Sequence, residues 1–217
     1  DGKKLLAVAG KDGVLHVLDR NDGKLVFKLP VTSHENVDAP ITAQGTHYCP
    51  GTVGGVEWNG PAYDPQTGQL YVNAVDWCVT SKLGPVPEYR PGQVYAGLAN
   101  GFGTFDPMDQ AHGWTNAIDV KSAAMKWRYK SPTPMTAAVT PTAGGLLLTG
   151  DQDGYFLVLD AKTGKVLYRF NTGGAIAGGV ITYEDKGKQY VAVASGNTSR
   201  DNWHTKGGAT IFVFSGS

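Results

Sequence analysis

Two stretches of the chain repeat the same order of apolar and polar positions. Residues 7–29 read AVAGKDGVLHVLDRNDGKLVFKL, and residues 148–170 read LTGDQDGYFLVLDAKTGKVLYRF. Aligned without gaps, they share 7 of 23 positions, and most other positions exchange one apolar or turn residue for another. A degenerate third copy, NAIDVKSAAMKWRYK, spans residues 116–130. Internal repetition at this scale predicts an architecture built from packed copies of one small unit.

Each copy has the pattern of a meander of short antiparallel strands. An Asp-Gly pair at 12–13 and 153–154 predicts a hairpin turn, because glycine accepts the positive φ that such turns need. The strand that follows ends in aspartate. Asn-Asp-Gly-Lys (21–24) or Lys-Thr-Gly-Lys (162–165) then predicts a second turn, in which that aspartate accepts bonds from local backbone amides. The last strand carries an aromatic residue, which is Phe27, Trp127 or Tyr168.

Such a unit cannot bury both of its faces alone, so copies must pack side by side. Radial packing of four-stranded units is typical of a β-propeller. The sequence therefore predicts an all-β propeller with about four blade-like units, at 1–30, 50–130, 137–170 and 174–217. A Gly- and Pro-rich insertion between 79 and 113 enlarges the second unit and is predicted to be a functional or packing loop. A β-sandwich is the alternative architecture, and the repeated pattern favours the propeller.

Composition agrees with many short elements joined by tight turns, since the chain has 30 glycines and 12 prolines. With 19 basic and 19 acidic residues and no long run of either sign, we expect no nucleic-acid or anionic-membrane partner. No apolar stretch approaches the roughly 20 residues of a membrane helix, so no membrane span is predicted. Asp1–Lys4 leads directly into a strand-like run, and we therefore expect a piece or a processed product of a longer protein.

Four segments resemble, in the same order, segments of the alcohol and methanol dehydrogenases that depend on pyrroloquinoline quinone (PQQ). They are GKDGVLHVLDRNDGKL (10–25), CPGTVGGVEWNGPAYDPQTGQLYVNAVDWC (49–78), PTAGGLLLTGDQDGYF (141–156) and GGVITYEDKGKQYVAVASG (178–196). The repeated series also resembles the tryptophan-docking motif of this family, whose members are eight-bladed propellers. The resemblance implies that the chain is half of such a ring, from its C-terminal half. The N-terminal half of the same propeller, or a second copy of the chain, would complete it.

The resemblance also implies a function. It predicts oxidation of an alcohol, polyol or sugar hydroxyl by hydride transfer to PQQ, with a soluble cytochrome c as electron acceptor, in the periplasm. The family's catalytic aspartate and its Ca²⁺ or lanthanide ligands lie upstream of the segment that contains Lys11. We therefore expect no metal ligand and no independent activity in these residues. Residues 131–140 and 195–204 match the family's pocket poorly, which favours the alternative of a non-catalytic propeller scaffold or binding module.

Three residues are candidates for the cofactor side of the site. Lys11 matches the family's basic residue beside the quinone oxygens, where a cation stabilises developing negative charge; a solvated turn lysine is the alternative. The equivalent repeat position holds Gln152, so the fold does not demand lysine there. Glu57 stands where the family usually has an asparagine, and near a tricarboxylated cofactor it needs a proton or a paired cation such as Lys11. The alternatives are that Glu57 alters substrate selectivity or simply faces solvent. Trp58 lines the cofactor funnel or belongs to the core.

The two cysteines and five histidines give weaker signals. The resemblance and the even count favour a disulfide between Cys49 and Cys78, which implies an oxidising compartment; free buried thiols are the alternative. The histidines are scattered without metal-ligand spacing. For His112 and Trp114 a role in loop packing is predicted, and a position near the mouth of the funnel is the alternative.

Overall fold

The computed structural model describes residues 2–57, 59–85, 88–93, 95–196 and 207–216. Within these residues the secondary structure consists of β-strands and one short 3₁₀ helix, Met108–Gln110. In chain order the strands are β1 (Leu5–Ala9), β2 (Val14–Asp19), β3 (Leu25–Pro30), β4 (Thr46–Tyr48), β5 (Ala62–Asp64), β6 (Gln69–Asp76), β7 (Val79–Ser81), β8 (Thr104–Phe105), β9 (His112–Asp119), β10 (Ala124–Ser131), β11 (Thr140–Pro141), β12 (Leu146–Gly150), β13 (Tyr155–Asp160), β14 (Val166–Asn171), β15 (Val180–Asp185), β16 (Lys188–Ser195) and β17 (Thr210–Ser215). The all-β prediction is confirmed. No helix in these ranges is long and apolar enough to cross a membrane.

The strands form four meander sheets and one small additional sheet. Their orders are β1-β2-β3, β5-β6-β9-β10, β11-β12-β13-β14, β15-β16-β17 and, in the small sheet, β4-β7-β8. Every pairing between these strands is antiparallel. We refer to the four meanders as the first to fourth sheets. The division of the chain into blades at the four predicted ranges remains a proposal.

The sequence repeat is reproduced in the strand register. The first sheet corresponds to the last three strands of the third sheet, because residues 7–29 align with 148–170. Each copy has an irregularity at the same repeat position, between Val17 and Leu18 in one and between Val158 and Leu159 in the other. The predicted second turns also form, since Asp19 and Asp160 accept bonds from backbone amides two residues ahead, at 2.8 and 3.1 Å.

Consecutive sheets pack face to face, and each interface has its own apolar core. One core joins the first and second sheets, a second joins the second and third, and another joins the third and fourth. In the middle interface, Trp127 of β10 donates from Nε1 to the carbonyl of Ala161, 3.0 Å away. A Cβ on Gly164 would lie 2.5 Å from Cε3 of this indole, so the tryptophan requires a glycine in the opposing turn.

The connections that carry Lys11, Cys78 and Gln152 lie at one end of the packed sheets. The turn between β1 and β2, the connection from β6 to β9, and the turn between β12 and β13 each join the second and third strands of a unit. Equivalent loops of equivalent antiparallel meanders project from the same end. Part of the predicted 79–113 insertion is regular structure, because it contains β7, β8 and the 3₁₀ helix, and β9 begins at His112.

Candidate functional site

Lys11 and Glu57 form an ion pair at this end of the molecule. The Lys11 Nζ lies 2.7 Å from Glu57 Oε1 and donates a second bond to the Thr52 carbonyl at 3.1 Å. The Lys11 side chain is 58 % exposed, whereas that of Glu57 is only 8 % exposed. A buried carboxylate therefore holds an exposed ammonium group in a fixed position. Glu57 does not face solvent, which was one of its predicted alternatives.

The segment that carries Glu57 runs between the first and second sheets. Val56 N donates to the Gly10 carbonyl at 2.9 Å, and Gly55 forms an isolated bridge with Val75 of β6. Gly55 has a φ of +77°, and a Cβ there would lie 2.5 Å from the Lys11 carbonyl oxygen. Only glycine lets the segment pass this close to the Lys11 turn. The backbone thus brings two residues 46 positions apart into contact.

A disulfide fixes the start of this segment. Cys49 and Cys78 are bonded, as predicted, and the bond joins the residue after β4 to the stretch between β6 and β7. Gly51 N, two residues further on, donates to the Trp77 carbonyl at 2.8 Å. The path of residues 49–57 is therefore set by covalent and backbone contacts to the end of β6.

A second buried carboxylate, Asp76, lies at the end of β6. Its Oδ2 accepts bonds from Ser33 Oγ and Trp114 Nε1, both at 2.7 Å, and lies 3.1 Å from His112 Nε2. Asp76 is 3 % exposed, and the guanidinium carbon of Arg128 lies 4.5 Å from the centroid of the Trp114 ring. His112 and Trp114 are therefore strand residues that hold a buried acid, and their predicted loop-packing role is wrong. No residue spacing along the chain could have identified this cluster.

A group of hydrogen-bonded polar residues lies where the second, third and fourth sheets approach one another. Asn59 Nδ2 donates to the carbonyls of Thr136 and Ala177 at 2.6 and 2.9 Å. Gln152 Nε2 donates to Thr136 Oγ1, and Gln152 Oε1 is buried without a hydrogen-bond partner in the described parts of the chain. Gln152 occupies the repeat position of Lys11. The same turn therefore presents an exposed cation in the first sheet and a buried amide in the third.

Asp151, next to Gln152, is a buried acid with an altered proton affinity. It is 2 % exposed, and burial raises the pKa of its carboxyl to about 6, although Tyr155 N donates to Oδ1 at 2.9 Å. Buried acids that titrate near neutral pH are common at functional sites. The repeat alignment could have drawn attention to Asp151, because the same position holds an ionisable residue in this copy and a glycine, Gly10, in the copy at 7–29.

Comparison with known families identifies the fold. A profile of the PQQ glucose/ethanol/alcohol dehydrogenase β-propeller domain matches residues 30–119 and 102–191, two overlapping ranges that together cover most of the chain. The chain belongs to this family. The predicted resemblance and the predicted β-propeller are thereby confirmed.

Relatives of this PQQ propeller are bacterial quinoprotein dehydrogenases. The chain is 34 % identical to the quinoprotein ethanol dehydrogenase of Pseudomonas aeruginosa, over 90 % of the chain and 35 % of that protein. It is also 34 % identical to the lanthanide-dependent methanol dehydrogenase of Methylacidiphilum fumariolicum, over 86 % of the chain and 33 % of that protein. The chain thus spans about a third of the length of these curated relatives.

Solved structures show the same fold. The quinohemoprotein alcohol dehydrogenase of Comamonas testosteroni superimposes with a TM-score of 0.81 at 23 % identity, over 98 % of the chain and 36 % of that structure. A europium-containing methanol dehydrogenase superimposes with a TM-score of 0.75 at 31 % identity, over 89 % of the chain and 37 % of that structure. The number of blades in the complete protein stays a prediction.

The predicted site of this PQQ propeller is thus partly assembled. The structure brings Lys11 and Glu57 together and joins Cys49 to Cys78. Trp58 lies outside the described residues. Residues 131–140 are largely buried, and Met135, Ala137 and Val139 belong to the cores between sheets.

Proposed function

We propose that this chain is part of a PQQ-dependent dehydrogenase that oxidises an alcohol, polyol or sugar hydroxyl and passes the electrons to a soluble cytochrome c. The observation that carries the proposal is the exposed Lys11 ammonium, held by a buried Glu57, in a member of the PQQ propeller family. PQQ, when bound, supplies the two-electron oxidant of the reaction.

The chemistry of Lys11 fits an anionic, acceptor-rich cofactor. A lysine ammonium has three donors, and two of them bond to Glu57 Oε1 and the Thr52 carbonyl. The third has no partner in the described ranges, and the side chain is largely exposed. The carboxylate of Glu57 would repel PQQ if it stood alone, but the paired ammonium offsets its charge. These two residues therefore fit PQQ as a pair.

Lys11 and Glu57 take different roles in this proposal. Lys11 would donate a hydrogen bond to the cofactor and present a fixed positive charge where negative charge develops, which lowers the barrier without reorganisation. Glu57, being buried, would act mainly through Lys11 as a positioning residue. Trp58 remains a predicted cofactor contact. We assign no ligand of the catalytic Ca²⁺ or lanthanide ion to this chain, and that ion would be held by other parts of a longer protein and act as a Lewis acid.

The cellular setting follows from the disulfide and the family. Disulfides such as Cys49–Cys78 form and persist in oxidising compartments, including the bacterial periplasm. The matched relatives are bacterial dehydrogenases. We therefore propose a periplasmic location, with a small alcohol as substrate and the remaining blades of the propeller as structural partner.

A non-catalytic scaffold is the second candidate. The observation in its favour is that Met135, Ala137 and Val139 complete cores between sheets, where the family places pocket residues. A scaffold has no need of an exposed cation held by a buried acid. The binding of PQQ therefore distinguishes the two candidates.

The test is a Lys11→Ala substitution in the full-length protein. We expect weaker PQQ binding and a turnover lower by about 10²-fold or more, as for the loss of a preorganised charge. Binding is measured by absorbance titration with PQQ in the presence of Ca²⁺ or a lanthanide, and turnover by dye-linked alcohol oxidation. Lys24→Ala is the matched control, because Lys24 also pairs with a carboxylate, that of Asp22, at 2.8 Å.

The outcomes separate the candidates. Equal PQQ binding and turnover in wild type and Lys11→Ala would remove Lys11 from the site while leaving the dehydrogenase assignment. Failure of the wild-type protein to bind PQQ would reject the dehydrogenase and support the scaffold.

A further inference from the structure

Three side chains with metal-binding chemistry lie together outside the proposed cofactor site. His47 Nε2, an Asp106 carboxylate oxygen and Cys78 Sγ all lie within 4.8 Å of one another. Cys49 Sγ is bonded to Cys78 Sγ, so reduction of this disulfide would free a second thiol beside the three residues. In the oxidised protein the sulfurs are joined, and only the imidazole and the carboxylate could act as ligands. We call these three residues and Cys49 the His47 cluster.

The small sheet and its flanking residues hold this cluster in place. His47 lies on β4, which pairs with β7, and β7 pairs with β8. Asp106 directly follows β8, and its backbone N–H donates to the Cys78 carbonyl at 3.2 Å. Trp77 Nε1 donates to the Asp106 carbonyl at 2.8 Å. The arrangement therefore rests on backbone pairing as well as on the disulfide.

We propose that reduction of the Cys49–Cys78 disulfide converts the His47 cluster into a binding site for a zinc-type divalent metal. Two thiolates, one imidazole and one carboxylate form a four-ligand N/S/O set of the kind that tetrahedral Zn²⁺ accepts. Thiolates bind such ions strongly, whereas the sulfurs of a disulfide do not. The cluster thus couples metal binding to the thiol redox state.

The distance between His47 and Asp106 needs only modest adjustment to suit a metal ion. With Zn–N and Zn–O bonds of about 2.0–2.2 Å, tetrahedral geometry places the two ligand atoms about 3.3–3.5 Å apart. His47 Nε2 lies 3.0 and 3.2 Å from the two oxygens of Asp106. The sulfurs would have to separate to about 3.8 Å, which two freed side chains can do by rotation. The His47 and Asp106 side chains are 41 % and 24 % exposed, so a metal can reach them from solvent.

The redox step balances with a dithiol as reductant. The dithiol gives two electrons to the Sγ–Sγ bond and becomes a disulfide, and its two protons pass to the sulfurs of Cys49 and Cys78. Metal binding then releases those protons to solvent, because the ligand is the thiolate. No step of this proposal depends on PQQ.

Cobalt titration of the protein tests the proposal, since Co²⁺ reports thiolate ligands by a charge-transfer absorption band. After anaerobic reduction with a phosphine, which is oxidised to the phosphine oxide with uptake of water, we expect one Co²⁺ per chain and its displacement by Zn²⁺. The oxidised protein should show no such band. His47→Ala and Asp106→Asn should each weaken binding by about 10-fold or more. His16→Ala is the matched control, because His16 pairs with Asp12 at 2.7 Å and belongs to no such cluster in the described ranges.

A Cys49→Ser variant tests the site without reductant. It leaves Cys78 as a free thiol beside His47 and Asp106, and a three-ligand site with one thiolate band is expected. Circular dichroism establishes whether each sample is folded. Absence of the band in folded reduced protein or in folded Cys49→Ser would overturn the proposal. So would unchanged affinity in the His47 and Asp106 variants, or loss of the fold in both samples, because the site needs the native frame.

Discussion

Equivalent repeat positions carry different chemistry in different sheets. Gly10 and Lys11 of the copy at 7–29 correspond to Asp151 and Gln152 of the copy at 148–170, while the Asp-Gly turn that follows is the same in both. The fold therefore requires the turn but does not restrict the residue types at the two preceding positions. Lys11 is exposed and Gln152 is buried, so the surroundings of each copy decide what these two positions do.

The buried carboxyl of Asp151 should give the protein a distinct pH dependence. Burial raises its pKa from the ordinary 3.8 to about 6, so the folded state holds the proton more tightly than the unfolded state. The free energy of unfolding then falls as pH rises from about 4 through about 6. Above that range the full cost of ionising the buried carboxyl is present. This cost is on the order of 3 kcal/mol. Asp151→Asn cannot ionise, so relative to wild type it should gain up to about that amount between pH 4 and pH 7.

Urea unfolding of both proteins at the two pH values measures this change. Asp160→Asn is the control with the opposite sign, because hydrogen bonds from the Thr163 hydroxyl and backbone lower the pKa of Asp160. That variant should lose stability relative to wild type at pH 7 and recover it in acid. The same pH profile in wild type and Asp151→Asn would show that Asp151 is not the titrating group.

At the scale of elements, the aromatic residue of one repeat copy, Trp127, docks on the neighbouring sheet. Trp127 of β10 packs on the turn between β13 and β14 of the next sheet, and the tight fit requires Gly164. Gly23 has the same position in the first copy and almost the same φ, +72° against +73°. A Cβ on Gly23 would have no described neighbour within 4 Å. The two glycines share a turn and differ in what packs against it.

A pair of alanine substitutions separates turn strain from docking. Both Gly23→Ala and Gly164→Ala incur the left-handed backbone cost of roughly 1–2 kcal/mol. Gly164→Ala should destabilise by about 1–3 kcal/mol more, because it displaces the Trp127 indole from a packed interface. Chemical denaturation with Trp fluorescence as the signal measures both. Equal losses of unfolding free energy in the two variants would mean that the Trp127 indole can move aside at no energetic cost. Its docking would then contribute little to stability.

The predictability of each element depends on its length and on the range of its contacts. The strands of the first and third sheets follow from alternation and turn residues, and their register repeats as the sequence does. The small sheet was missed, because strands of two or three residues show no alternation. The Asp76 cluster was missed for a related reason. Ser33 and Trp114 both donate to Asp76 Oδ2, although they lie 43 and 38 residues from Asp76 in the sequence. Only the packing of the sheets brings them together.

At the scale of the whole molecule, the inner and outer sheets differ in how many faces they bury. The second and third sheets lie between neighbours and contribute to two cores each, whereas the first and fourth contribute to one. On the outward face of the first sheet, Leu6 and Val8 are 49 % and 46 % exposed. The outward face of the fourth sheet exposes Ile181, Tyr183, Ile211 and Val213. In the proposed longer propeller, neighbouring blades would cover both faces.

The 217-residue chain by itself should therefore associate with further copies of itself. Apolar patches beyond a few hundred Å² rarely stay exposed on soluble monomers, and a sheet face with several large apolar side chains favours pairing with another. In sedimentation velocity we expect dimers or larger species. The double variant Ile211→Lys and Val213→Lys should shift the distribution toward monomer, because it places two charges on the fourth sheet's outward face. Leu83→Lys is the control, since Leu83 is exposed to a similar degree but lies in the insertion. A monodisperse wild-type monomer that oxidises alcohols with added PQQ and Ca²⁺ would contradict both the association and the proposal that the catalytic groups lie elsewhere in a longer protein.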